Sequence, residues 1–132
     1  MDEQTVLAAT DLFPSLCAIA GVESPKGNIF DGEDLSTALL GRPTIRARPL
    51  FWEYGRNTSA FAFPTGADRS PTVAMREGDW KLLLNADGSD CQLYDLKSDP
   101  KETTNLADKN HELTVRLKAK ALAWRNSLPK LL

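Results

Sequence analysis

The stretch LYDLKSDPKETTNLA, residues 93–107, sets three carboxylates, Asp95, Asp99 and Glu102, beside Asn105 in one loop. Oxygen donors in such a group are what a hard cation binds, and a pair of carboxylates can pass a proton. Neither chemistry has a visible partner group here. The competing assignment is structural. Asp99-Pro100 favours a turn start, Asn105 can bond its own neighbouring backbone, and Leu106 can plug the seam between a strand and the last helix. On the residues alone, this loop is a clasp.

Other reactive residues are sparse. A structural or catalytic metal needs convergent His, Cys, Asp or Glu ligands, and the chain holds one histidine, His111, at the start of the last helix. Asp31-Gly32-Glu33-Asp34 resembles the opening of a calcium loop but lacks the spacing and the closing Glu, so it reads as a turn with a helix cap. Nucleophile elbow, phosphate-binding glycine loop and H-E-x-x-H are all absent. Cys17 and Cys91 lie far apart and read as small buried side chains. Neither a catalytic nor a metal-ligating residue is expected in this chain. Asn57-Thr58-Ser59 is a formal glycosylation sequon, a weak signal.

Charge excludes two classes of partner. Sixteen Lys+Arg against 18 Asp+Glu leave a net charge of -2, which makes no case for nucleic acid or an anionic membrane. The apolar runs fall short of the ~20 residues a membrane helix needs. Arginines and aromatics interleave from Arg46 to Phe61, but Trp52 and Tyr54 share one strand face and are expected in the core.

The elements that must position these residues follow from periodicity. Thr5 to Ala9 suits a short buried strand. A helix follows, with Asp11 at its cap, Pro14 in its first turn and Gly21 as its stop. Leu12, Phe13, Leu16, Cys17, Ile19 and Ala20 leave it almost no polar face, so burial on several sides is expected. Residues 23–49 are connection, broken by one short helix from about Asp34 to Leu40 with Leu35, Leu39 and Leu40 as its stripe. From Leu50 the period becomes two. Strands around Leu50–Tyr54, Val73–Arg76, Trp80–Leu84 and Leu93–Leu96 form a meander, with hairpin turns at Glu77-Gly78-Asp79 and Asn85–Gly88. The loop across 55–71 is longer than an idle connection, and loops on a rigid sheet carry recognition. Leu113, Leu117, Ala121, Trp124 and Leu128 then mark one face of a last helix, capped by Asn110.

The fold class is therefore α+β: a roughly four-stranded antiparallel sheet covered by a C-terminal amphipathic helix, preceded by an N-terminal helical segment. With 132 residues, 42% hydrophobic and 26% charged, the chain can bury a sizeable core.

Six stretches in order, TDLFPSLCAIAGV, FDGEDLSTALLG, RPLFWEY, AMREGDWKLLLN, LYDLKSDPKETTNLA and AWRNSLP, resemble the C-terminal part of sulfatases. The similarity is to the formylglycine-dependent, alkaline-phosphatase-like superfamily, in particular arylsulfatases and N-acetylgalactosamine-6-sulfatase-like enzymes, from about residue 5 to residue 129. It implies that residues 49–132 are the small C-terminal subdomain. Residues 1–48 would be terminal elements left over from a larger α/β catalytic domain plus the connection. It implies a full-length parent that hydrolyses sulfate esters on carbohydrates with calcium and formylglycine, in the periplasm or outside the cell. Cys17 stands in Cys-Ala-Ile-Ala-Gly, not the C-x-P-S-R-type motif that yields formylglycine, so no cofactor is assigned to this chain. The resemblance points to Glu53, Tyr54, Arg56 and Asn57 as rim residues of the substrate pocket, although several relatives carry His where this chain has Tyr54. The expected partner is the N-terminal catalytic domain. Without it, Leu12, Phe13, Leu16 and Ile19 would drive self-association. Two alternatives are an autonomous binding module with the same small fold, and a fragment of a related phosphonate or phosphodiester hydrolase.

Overall fold

A computed structural model describes residues 4–56 and 69–129. The chain forms two compact units, Met1–Arg48 and Pro49–Leu132.

In the first unit, a single 3₁₀ turn, Ala9–Asp11, runs into helix α1, Leu12–Ala20, and a one-turn helix α2 spans Ser36–Leu39. The buried strand expected at Thr5–Ala9 does not form. The local donors there bond to side chains instead of a neighbouring strand, with Ala8 N–H donating to Asp11 Oδ2 at 2.8 Å. Helix α1 stops at Gly21 as expected, its N–H turned back to Ala18 O. Its expected burial is not observed in this chain: Leu12, Phe13, Leu16 and Ile19 are each 43–56% exposed. Of the α2 stripe, Leu35 is buried, whereas Leu39 and Leu40 are exposed.

The polar residues hold this unit together. Asp11 and Ser15 are fully buried. Asp11 sits at the helix cap position but makes no side-chain cap bond. Its carboxylate instead accepts from Ala8 N–H and from Glu33 N–H at 3.0 Å, and pairs with the Arg46 guanidinium. Ser15 Oγ accepts from Leu35 N–H at 2.8 Å, so α1 grips the start of α2. Gly32 is required by close approach. A Cβ there would stand 2.1 Å from Thr10 O, inside any contact distance.

The second unit is the α+β sheet and helix read from the sequence. Strands β1, Leu50–Glu53, β2, Val73–Glu77, β3, Trp80–Leu84, and β4, Gln92–Asp95, pair antiparallel in sequence order. Helix α3, His111–Ser127, covers one face. The β2–β3 hairpin closes over Gly78 and Asp79, with Gly78 at φ 60°, where glycine alone is unstrained. Register puts Met75 opposite Leu82 and Leu82 opposite Leu93. These residues, with Val73, Leu84, Leu117 and Ala121, form the core. The helix face read from the sequence is the packed one, with Leu113 and Trp124 joining Leu117 and Ala121. Buried Thr114 adds a polar tie, its hydroxyl donating to Ala107 O. Asn110 occupies the cap position without a side-chain cap bond; its amide donates weakly to Leu106 O at 3.4 Å.

Strand β1 corrects the expected facing. Phe51 turns to the helix and stacks on Trp124, with ring centroids 5.1 Å apart and planes at 11°. Trp52 and Tyr54 point the other way and are 46% and 50% exposed. Two aromatic residues at alternate positions fixed a shared face, but not which face met the helix. The Phe51–Trp124 stack decides that.

Candidate functional site

The acidic loop across residues 93–107 is a clasp. Asp99 Oδ2 accepts from Thr103 N–H at 2.7 Å and Thr104 N–H at 2.8 Å. Asp95 takes Lys97 N–H and the Ser98 hydroxyl. Glu102 holds Lys81 Nζ with both oxygens at 2.7 Å. Asn105 Oδ1 accepts from Leu93 N–H at 3.0 Å and Ala107 N–H at 2.9 Å, while Leu106 N–H donates to Leu93 O at 2.7 Å. The loop is thus sewn to the outer edge of β4. The residue that enters the core is Ala107, not Leu106, which remains half-buried. Direct bonds to Ser98 hold Asp95 below the ordinary carboxylate range, and the Thr104 and Thr103 donors do the same for Asp99. Both carboxylates are committed to local donors and are poor general acids.

Among the described residues, no three His, Cys, Asp or Glu side chains stand together as a cation site. Burial raises the Cys91 thiol, so it is a weak nucleophile. Both cysteines are unpaired and half-buried. His111 is exposed.

The residues expected at a pocket rim divide by face. Glu53 lies 93% out of solvent between two arginines: Arg125 Nε donates to Oε1 at 2.8 Å, and Arg56 Nε stands 3.0 Å from Oε2. The Arg56 contact is an ion pair rather than an aligned hydrogen bond, which leaves Oε2 without a donor. Arg56 also donates to Pro129 O at 2.7 Å and Arg125 O at 3.4 Å. The Arg125 carbonyl belongs to the last turn of α3, where a cation is favoured, and Pro129 lies just past the helix. Glu53 and Arg56 therefore bracket the end of β1 to the end of α3. Tyr54 stands on the opposite face, its N–H bonded to Thr72 O at 2.7 Å. Asn57, with its sequon and most of the 55–71 loop, lies outside the described residues. Sequence reasoning missed Arg125. A lone basic residue in a last helical turn gives no signal of a partner far away in sequence.

The first unit holds a second cluster and a cleft. Burial would raise the Asp11 pKa, but the Arg46 guanidinium and the Glu33 and Ala8 N–H groups outweigh it and hold the carboxyl below the ordinary aspartate range. Arg46 Nε also lies 3.6 Å from Glu33 Oε1. A cleft of about 400 Å³ opens beside this knot, walled by Phe30, Glu33, Asp34 and Arg48 among others. Its charged groups are occupied. Arg48 donates to Phe30 O and Gly32 O, Glu33 accepts from Ala47 N–H, and Asp34 accepts from Ser36 N–H. The cleft binds itself together and offers no poised nucleophile or base.

Comparison with known proteins supplies the family. Arylsulfatase K of Mus musculus is 30% identical over 119 residues, which is 88% of this chain and 21% of that protein. The choline-sulfatase of Rhizobium meliloti is 34% identical over 99 residues, 74% of this chain and 17% of that protein. The chain is a sulfatase relative. It spans about a fifth of the length of the curated sulfatases it matches, consistent with a C-terminal sulfatase portion. No family model matches it. The fold recurs in a sulfatase structure from a glycosaminoglycan locus of Bacteroides thetaiotaomicron, with a TM-score of 0.62 at 20% identity over 88% of this chain and 24% of that one. It recurs again in a structure solved with its substrate D-glucosamine-2-N,6-O-disulfate, with a TM-score of 0.59 at 21% identity over 91% of this chain and 25% of that one. The α+β sheet and helix are thus the sulfatase small-subdomain fold.

Proposed function

We propose that this chain is the C-terminal portion of a sulfatase and supports catalysis without performing it. The observation that carries the reading is the coverage: sulfatase similarity runs through 88% of the chain but only 21% of arylsulfatase K. In this reading the first unit forms the last elements of a catalytic domain, and the second is the subdomain that braces the pocket rim. What supports it chemically is that the Glu102, Asp99 and Glu53 carboxylates are spent on a lysine, a backbone N–H group and an arginine. Formylglycine and calcium belong to the catalytic domain, which is the partner of the exposed face of α1. The parent acts on a sulfate ester of a carbohydrate, a class suggested by the glycosaminoglycan and glucosamine disulfate named for two fold neighbours.

The test is an assay of the purified 132-residue chain with 4-nitrophenyl sulfate and calcium. The expected result is no release of nitrophenol above the rate without protein. Turnover by this chain would overturn the proposal, because it would require a nucleophile within these residues.

A further inference from the structure

The bracket at the end of β1 assigns a role to a residue that the rim motif does not contain. We propose that Arg125 is a positioning residue for the rim, acting through Glu53 on Tyr54 and Arg56; this rests on the sulfatase reading above.

Four observations carry it. Glu53 is the last residue of β1, and Tyr54 follows it on the opposite face of the chain, so fixing Glu53 fixes where Tyr54 is presented. The Glu53 carboxylate is held from two sides, by Arg125 from the helix and Arg56 from three residues along its own strand exit. Arg56 is itself tied to carbonyls at the end of α3, one of them that of Arg125. Finally, Oε2 is buried with no hydrogen-bond donor, so the carboxylate relies on its two cations to stay in place. Removing Arg125 leaves a buried carboxylate with one contact of poor hydrogen-bond geometry. Its release frees the end of β1 where Tyr54 N–H closes on Thr72 O. The nearby Phe51–Trp124 stack keeps the helix in place, so the effect is local.

The experiment is hydrogen exchange on the full 132-residue chain, read at the Tyr54 amide. In Arg125→Met, exchange there is expected to quicken about tenfold or more, while the Met75 and Leu82 amides keep their protection. Arg125→Lys restores part of it, because a lysine keeps the charge but not the guanidinium fork. Arg116→Met also removes an ion pair from α3, to Glu77, and is expected to leave Tyr54 unchanged. Should Arg125→Met fail to fold, Glu53→Gln tests the same link with its shape retained. The proposal is overturned if Arg125→Met exchanges like wild type, or if Arg116→Met matches it at Tyr54. In the protein expressed from the complete reading frame, Arg125→Met is expected to raise KM for a sulfated disaccharide at least about threefold with kcat nearly unchanged. A fall in kcat at unchanged KM would contradict it. Absence of aryl sulfate turnover by that wild-type protein would sink the sulfatase reading instead, and leaves the exchange result to be judged separately.

Discussion

Replacing Asn105 with alanine tests whether the acidic loop is a clasp. One side-chain oxygen, Oδ1, satisfies two backbone donors, Leu93 N–H and Ala107 N–H, and both residues belong to the buried core. Each lost bond costs about 0.5–1.5 kcal/mol, and more where the orphaned donor stays dry. Water can reach the exposed Asn105 side and repair part of the loss. The expected total is about 2 kcal/mol, or a Tm lower by about 10 °C for a unit of this size. Asn105→Asp keeps the acceptor and loses only the weak amide donation to Cys91 O at 3.4 Å. It should therefore melt within a few degrees of wild type. Thermal unfolding followed by tryptophan fluorescence reads this unit, since Trp52, Trp80 and Trp124 all lie in it. Equal melting of Asn105→Ala and wild type would refute the clasp. So would an aspartate variant as damaged as the alanine one, because the acceptor would then not be what matters.

Three further outcomes are expected. Asp11→Asn leaves the buried Arg46 charge poorly compensated and should cost the first unit about 3 kcal/mol, seen as lost exchange protection at Ala8 and Glu33. The folded Asp11 pKa lies below its unfolded value, so its contribution is complete above the ordinary aspartate range and is lost as pH falls through the depressed value; amide spectra of residues 4–48 should disperse at neutral pH and lose dispersion in acid, whereas Asp11→Asn, with no carboxylate there to protonate, should lack that part of the pH dependence. Gly32→Ala forces a Cβ into Thr10 O and should destabilise the same unit severely, whereas Gly27→Ala, with open space around its Cβ and only a strained φ, should cost about 1 kcal/mol. The exposed Leu12, Phe13, Leu16 and Ile19 should make the chain associate at micromolar concentration. Light scattering should show Leu16→Glu restoring a monomer, and a wild-type monomer would remove the argument for an apolar docking face.

The second unit was legible because period, turns and packing agree there. Val73 and Met75, the Gly78-Asp79 turn, Trp80–Leu84 and the Leu113–Trp124 stripe each point to the same register. Facing failed at β1, where Phe51, Trp52 and Tyr54 carry equal hydrophobic weight and only the Trp124 ring chooses among them. The first unit was less legible. Asp11 reads as a helix cap and Ser15 carries no signal of its own, yet their side chains bond to Glu33 and Leu35 far along the chain, a tertiary use that no local pattern announces. The exposure of α1 was equally hidden, since apolar residues around a helix look the same in sequence whether or not anything covers them. Glu53 and Arg56 stood out by motif, whereas the pairing of Glu53 with Arg125 required the fold.

The central claim is that this chain is one part of a sulfatase. Sequencing the coding DNA upstream of Met1 tests it most directly. The account predicts a continuous reading frame carrying a C-x-P-S-R-type motif, with paired aspartates to hold calcium. A stop codon followed by a promoter immediately before Met1 would contradict it and make the chain a protein in its own right.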